Sequence, residues 1–256
     1  MATTNANKIV LITGASRGLG RNMALHLADK GWGIVLTYHS NSDAAEEVTR
    51  AIADKGGKAI CLQLDVARVD TFSAFADSLG QALRSTWNRD RFDCLINNAG
   101  TGVFKPFAET TQADFDRMVN EHAKAPFFLS QALLPLLRDG GRIWNVSSGL
   151  TRMAFAGFSA YAMMKSATET LSLYLAKELG ARGIAVNTIA PGAIETDFGH
   201  GYVRDTPEVN KHIADLTALG RVGLPDDIGG AVAALLDTDA GWINAQRIEV
   251  SGGQNI

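Results

Sequence analysis

Short apolar runs alternate with longer amphipathic stretches along almost the whole chain. The runs are Lys8–Thr13, Gly33–Tyr38, Lys58–Leu64, Phe92–Asn97, Arg142–Ser147, Ala185–Ile189 and Arg247–Val250, each of strand length. Between them the period lengthens to that of a helix over Gly18–Lys30, Asp43–Lys55, Asp70–Arg84, Thr111–Leu137, Tyr161–Ala181 and Pro225–Leu236. Several strands are near-continuous in Val, Ile and Leu, the pattern expected when helices cover both faces of a sheet. The strict alternation predicts the α/β class, with a parallel, doubly wound sheet and right-handed crossovers. One stretch breaks the rhythm: Gly192–Arg221 is too long for an ordinary connection. It is an extra helical flap or a mobile lid, with an irregular surface excursion as the plainer reading. Because it leaves the carboxyl end of a strand, where open α/β sheets bind ligands, a substrate lid over about 192–221 is preferred.

Composition adds limits. At 256 residues, with no Pro/Gly/Ser-rich linker and no internal repeat, the chain reads as a single domain over 1–256. A formal charge of −3 gives no long-range pull towards nucleic acid or anionic membrane, so neither partner is indicated. The first eight residues lack an apolar signal core, and no later apolar run is long enough to span a bilayer. Only Cys61 and Cys94 occur, each in a strand-like run, so both read as small buried hydrophobes rather than a disulfide or reactive thiols. A cytoplasmic, reducing setting is the expectation. No metal-spaced Cys/His cluster is present, and no metal is expected.

Candidate chemistry begins directly after the first strand. Thr13–Gly20 reads T-G-A-S-R-G-L-G and leads into a helical stretch. A tight turn, a backbone approaching a pyrophosphate and a close helix–sheet contact all call for glycine, supplied by Gly14, Gly18 and Gly20. The helix N-terminus adds free N–H groups and a positive dipole for the anion. A structural turn would explain one such glycine triplet; its place between the first strand and first helix favours nucleotide binding.

The spacing G-x-x-x-G-x-G resembles that of the short-chain dehydrogenase/reductase family, and the resemblance extends over nearly the whole chain. Asp65-Val66 ends the third strand, Asn97-Asn98-Ala99-Gly100 the fourth and Ser147-Ser148 the fifth. Asn120 lies in the fourth helix, Tyr161 and Lys165 open the next, and Pro191-Gly192 follows the sixth strand with Ile194 and Thr196 beyond it. The resemblance implies a single-domain Rossmann fold with a seven-stranded parallel sheet. It also implies a cofactor site of Gly14, Ser16, Arg17, Gly18, Leu19, Gly20, Asp65, Val66, Asn98, Ala99, Gly100, Pro191, Gly192, Ile194 and Thr196, joined by Tyr161 and Lys165.

The end of the second strand bears on which cofactor. Tyr38-His39-Ser40-Asn41 holds no carboxylate where an acid would bind the adenosine ribose and repel a 2′-phosphate. By resemblance to similar NADPH enzymes Arg17 reaches that phosphate, with Ser40 and Asn41 as further donors; for Arg17 and His39 a plain solvated surface role is the alternative. His39, where many related enzymes carry Arg, supplies a hydrogen bond without fixed charge. NADPH is therefore expected ahead of NADH.

Tyr161 and Lys165 are four apart and share a helix face, a spacing that any helix offers. Their company changes its meaning. A lysine ammonium near a tyrosine hydroxyl favours the phenolate and lowers a pKa that is otherwise about 10. By resemblance, Tyr161 protonates the carbonyl oxygen, Lys165 also holds the nicotinamide ribose, and Ser148 donates to the same oxygen. Asn120 would keep a water that links Lys165 to solvent. Ser147 is the rival serine, and the spacing to Tyr161 in similar proteins favours Ser148. Phe155 and Phe158 before Tyr161, with Phe198 and Tyr202 on the lid, suggest an apolar substrate wall. His26, His122, His200 and His212 have no motif partners and read as solvated or structural, and Trp144 reads as packing within or beside the sheet.

The implied activity is reversible NADPH-dependent reduction of a ketone or aldehyde, with 3-oxoacyl thioesters and ketoesters among the candidate substrates. An NAD(H)-dependent alcohol, sugar or steroid dehydrogenase is the alternative. A cofactor-sensing protein without catalysis, or a dehalogenase or epimerase relative, is disfavoured by the intact residue set. The resemblance implies a homo-oligomer, commonly a tetramer built on the two long helices and the last strand. Ala245 departs from the family pattern, where Gly is frequent.

Overall fold

In the computed structural model β1 spans Ile9–Ile12, four fully buried residues whose side chains alternate between two cores. Val10 and Ile12 pack on one face with α1 (Gly18–Asp29), α2 (Ser42–Asp54) and α9 (Pro225–Leu235). Ile9 and Leu11 pack on the other with α3 (Phe72–Trp87), α5 (Ala125–Leu133) and α6 (Ser159–Glu178). The remaining strands, β2 (Gly33–Tyr38), β3 (Ala59–Gln63), β4 (Phe92–Asn97), β5 (Leu137–Val146), β6 (Ala185–Pro191) and β7 (Arg247–Val250), complete a seven-stranded sheet in the order β3-β2-β1-β4-β5-β6-β7. Every pairing is parallel. The doubly wound architecture expected from the alternation is therefore the one observed. Strand order reverses between β1 and β4, which opens the crevice where ligands bind in such sheets.

The described residues are 8–236 and 240–256; residues 1–7, the stretch read as lacking an apolar leader, lie outside them. Among the described residues no helix is long and apolar enough to cross a membrane, and no group of His, Cys, Asp or Glu is placed to hold a metal ion. Cys94 is buried and Cys61 half-buried, both free, and burial pushes both thiols above the ordinary cysteine range. Trp144 is 1% exposed within the sheet core.

One expected element is corrected. The single helix over Thr111–Leu137 is three pieces: α4 (Gln112–Val119), a π turn over Asn120–Lys124, and α5, which stops before β5 begins at Leu137. Pro126 is the physical reason for the break. It has no N–H to give the His122 carbonyl, and its ring would clash with that carbonyl in a straight α-helix. The chain widens by one residue instead, so that the Ala125 N–H donates to the Asn120 carbonyl. The 192–221 stretch is a helical flap with a 3₁₀ turn at Phe198–Gly201, α7 (Tyr202–Asp205) and α8 (Pro207–Asp215).

Candidate active site

The turn after β1 is built from close backbone contacts. The Thr13 hydroxyl accepts from the Asn98 and Ala99 N–H groups, each at 2.9 Å, and Asn98 Nδ2 donates back to the Thr13 carbonyl at 2.8 Å. Gly14 has φ +64°, and a Cβ there would lie 2.9 Å from Ala99 Cα. A Cβ at Gly20 would run into the Gly14 carbonyl oxygen and Asn98. At Gly18, with φ +56°, the same Cβ would meet open space. The outer face of the turn is therefore bare backbone above the first turn of α1, a cradle that fits a dinucleotide pyrophosphate.

Its neighbours hold varied positions. Exposed Arg17 occupies the N-cap of α1 and half-buried Tyr38 ends β2. Exposed His39 lies 3.5 Å from Asp65 Oδ2, and Asp65 Oδ1 accepts from the Ala67 N–H at 2.9 Å. Asn41 is partly committed elsewhere: its Oδ1 caps α2 by accepting from the Ala44 N–H at 2.9 Å, which leaves its NH₂ as donor. On the far side, Gly192 follows β6 packed on Ser251, Ile194 forms an isolated parallel bridge with Gly223, and buried Thr196 caps the turn before Phe198.

At the carboxyl end of β5, Ser148 Oγ accepts from the Leu150 N–H at 3.2 Å. Ser147 is turned away, donating to Glu169 Oε1 at 2.6 Å. That carboxylate also receives Thr151 Oγ1 at 2.9 Å and Arg247 Nε at 2.8 Å, while Arg247 reaches the Ser148 carbonyl at 3.3 Å. A half-buried ion pair from β7 thus fixes the main chain at Ser148. Tyr161 and Lys165 follow on the first turns of α6, 7% and 5% exposed. Lys165 Nζ donates to the Val146 carbonyl at 2.7 Å and sits 5.5 Å from the centre of the Tyr161 ring.

Burial lowers the Lys165 pKa to about 8, with the Glu121 carboxylate acting in the opposite direction. Burial also drives the Tyr161 hydroxyl above the ordinary tyrosine range, and the Ser148 hydroxyl beside it opposes this. The lowering expected from Lys165 is not what the site shows: burial, opposed by the Ser148 hydroxyl, leaves the group above its ordinary value. Tyr161 is held as the neutral acid.

The flap closes over this end of the sheet. The Phe198 ring lies 5.7 Å from Tyr161, and a side chain at Gly102 would strike it. Tyr202 stacks at 6.2 Å on Phe104, which in turn lies 5.0 Å from Phe158. Phe104 was not singled out in the sequence; its nearest signal is Gly157, whose φ of +88° and lack of a side chain make room for the ring. Phe155 is set apart, with Phe158 lining a neighbouring apolar cavity of about 380 Å³ beside Phe107 and Leu150.

A family model described as enoyl-(acyl carrier protein) reductase matches residues 14–255. The hydroxynaphthalene reductase-like protein Arp2 of Metarhizium brunneum is 38% identical over 97% of this chain and 95% of that protein. The NADPH-dependent aldehyde reductase-like protein, chloroplastic, of Arabidopsis thaliana is 36% identical over 97% and 94%. The crystal structure of the angucycline C-6 ketoreductase LanV with bound NADP superposes with a TM-score of 0.93 at 37% identity, covering 100% of this chain and 98% of that one. The chain belongs to the short-chain dehydrogenase/reductase family. It is an oxidoreductase, and its similar relatives include ketoreductases.

Within this family member the expected Asn120 is not among the residues that line the small cavity beside Lys165. It opens the π turn, and the small cavity beside Lys165 is lined by Glu121 and His122 instead. His122, read from sequence as structural or solvated, is 3% exposed with its ring edge-on to Tyr161 at 5.2 Å and 87°. The other histidines keep surface places: His26 bonds exposed Asp226 at 3.3 Å, while His200 and His212 lie on the flap.

Proposed function

We propose that this chain is an NADPH-dependent carbonyl reductase that converts a ketone or aldehyde to an alcohol, reversibly. The observation that carries the reading is the convergence of Ser148, Tyr161 and Lys165 beside the bare-backbone cradle at Gly14–Gly20. The nicotinamide cofactor, when bound, supplies the hydride. Gly14, Gly18 and Gly20 would hold its pyrophosphate, and the Asn98–Gly100 loop would line its crevice. Absence of acid from Tyr38 to Asn41, and exposed Arg17 beside the turn, favour the 2′-phosphorylated form. The NADP bound in LanV supports the same choice.

The acid is Tyr161, kept protonated by burial. Leu150 already donates to Ser148 Oγ, so the serine's own proton is available to the carbonyl oxygen. Two preorganised donors then meet an oxygen on which negative charge grows during reduction. Lys165, anchored on Val146, holds a positive charge near Tyr161 up to a pH of about 8 and favours transfer of the tyrosine proton.

A flat or bulky apolar ketone suits the rings of Phe104, Phe158, Phe198 and Tyr202 better than an extended 3-oxoacyl thioester. The name of the Metarhizium relative points the same way. A homotetramer in the cytoplasm completes the proposal: exposed Phe127 and Phe128 on α5, with Leu173 and Tyr174 on α6, provide apolar faces for copies to pair through.

The test is NADPH oxidation against aromatic and cyclic ketones, ketoesters, 3-oxoacyl thioesters and sugars. Turnover of an aromatic ketone is expected, and Tyr161→Phe should lower it by about 10²–10⁴-fold while NADPH still binds. Inactivity across the panel would remove the reductase reading. A higher kcat/KM with NADH would overturn the cofactor choice.

A further inference from the structure

The π turn that Pro126 imposes has a specific product: it turns His122 inwards and holds it at both ends. The His122 carbonyl, left without its helical partner, accepts from Thr168 Oγ1 of α6 at 2.6 Å. The ring nitrogen Nε2 lies 2.7 Å from the Thr101 carbonyl oxygen. A carbonyl only accepts, so Nε2 carries the proton and Nδ1 is the bare nitrogen. Gly100 is what allows this approach, since a Cβ there would strike the imidazole. The same ring stands edge-on to Tyr161 and shares with Lys165 a cavity of about 20 Å³, room for about one water molecule.

We propose that His122 is a positioning residue of the catalytic centre, whose Nε2–H tether to Thr101 locks the Asn98–Thr101 loop against the ring of Tyr161. The proposal rests on the reductase reading above. The tether joins the wall of the cofactor crevice to the proton donor, two parts carried by different elements, β4 and α6. Hydride and proton must reach one carbonyl group from these two sides, so their spacing enters kcat directly. Asn120 cannot take this place, because the π turn puts His122 there.

The groups facing the ring are Tyr161 and Lys165 from α6, Glu121 from the π turn at 3.9 Å and the Thr101 carbonyl. Burial, then the Lys165 charge, hold its pKa well below the ordinary histidine value, so the ring stays neutral. The sign for stability follows. The unfolded chain takes up a proton near pH 6.5 that the folded imidazole refuses, so this contribution is full above that pH and is lost as pH falls towards the folded value.

The test compares His122→Phe, which keeps a ring against Tyr161 but loses the tether, with His122→Gln, which restores a donor without the ring. The expected result for His122→Phe is a ten- to hundredfold fall in kcat with the KM for NADPH and the melting temperature near wild type. His122→Gln should recover kcat to within about fivefold and abolish the stability loss between about pH 6.5 and 5. A folded His122→Phe with wild-type kcat overturns the proposal, as does His122→Gln that folds yet is no more active than His122→Phe. If His122→Phe fails to fold, the His122→Gln kcat and the pH dependence of its unfolding decide alone. The two readings fail separately: a wild-type protein inactive across the carbonyl panel breaks the reductase reading, whereas an active wild type with an unaffected His122→Phe breaks the tether alone.

Discussion

Tyr161 divides two regions built in opposite ways. On the cofactor side, Thr13, Gly14, Gly20 and Asn98 touch through main-chain atoms and hydrogen bonds of about 3 Å, with no room for one methyl group. On the substrate side, the Phe104 ring lies 5.0 Å from Phe158 and 6.2 Å from Tyr202, and Phe198 lies 5.7 Å from Tyr161; Phe104, Phe198 and Tyr202 are each more than one-third exposed. The first region is fixed by steric exclusion and the ends of parallel strands. The second is a set of side chains on loops and a flap, which can repack around different ligands. One fold can thus keep a single cofactor while its substrate changes.

The largest effect should come from breaking the cradle. Gly20→Ala inserts a methyl into the Gly14 carbonyl and Asn98, and titration of NADPH by fluorescence should show affinity roughly a hundredfold weaker. Wild-type affinity would mean that the close contacts yield as easily as the aromatic ones. A smaller and more selective effect is expected from Phe198→Ala. It should lower kcat/KM about tenfold for an aromatic ketone, leave small aliphatic ketones nearly unchanged, and not alter NADPH affinity. Equal losses for both substrates would show that Phe198 serves Tyr161 rather than substrate choice.

The smallest lies away from both regions. Ala245 adopts φ +58°, a left-handed backbone that penalises its Cβ. Ala245→Gly relieves that strain at an entropic cost in the unfolded chain, so denaturant unfolding should show a net gain of up to about 1 kcal/mol and unchanged kcat. The departure at this position was visible in the sequence; its backbone reason is visible only in three dimensions.

Other features divide along the same line. The seven strands were legible because buried parallel strands are continuous apolar runs, and the glycine turn because its spacing is local. The start of β5 at Leu137 was hidden, since the polar Arg138-Asp139-Gly140-Gly141 interrupts the run, and the ladder resumes with a register shift at Cys94. The helix at 111–137 failed for a related reason: apolar periodicity carries through Pro126, while the backbone does not. His122 was missed because nothing next to it in sequence marks it; its partners Thr101, Tyr161, Lys165 and Thr168 come from elsewhere in the chain.

By itself, then, the sequence determined what local chemistry can encode: the α/β class and parallel sheet by alternation, the phosphate turn by glycine spacing, and Ser148, Tyr161 and Lys165 as candidates by motif. Tertiary structure alone decided which side chains share a desolvated space. Burial raises the Tyr161 hydroxyl and brings Lys165 to about 8, the flap sets Phe198 against the acid, and the π turn sets His122 beside it. The physical reason is that desolvation and distance act between residues far apart in the chain, and no spacing along the chain records them.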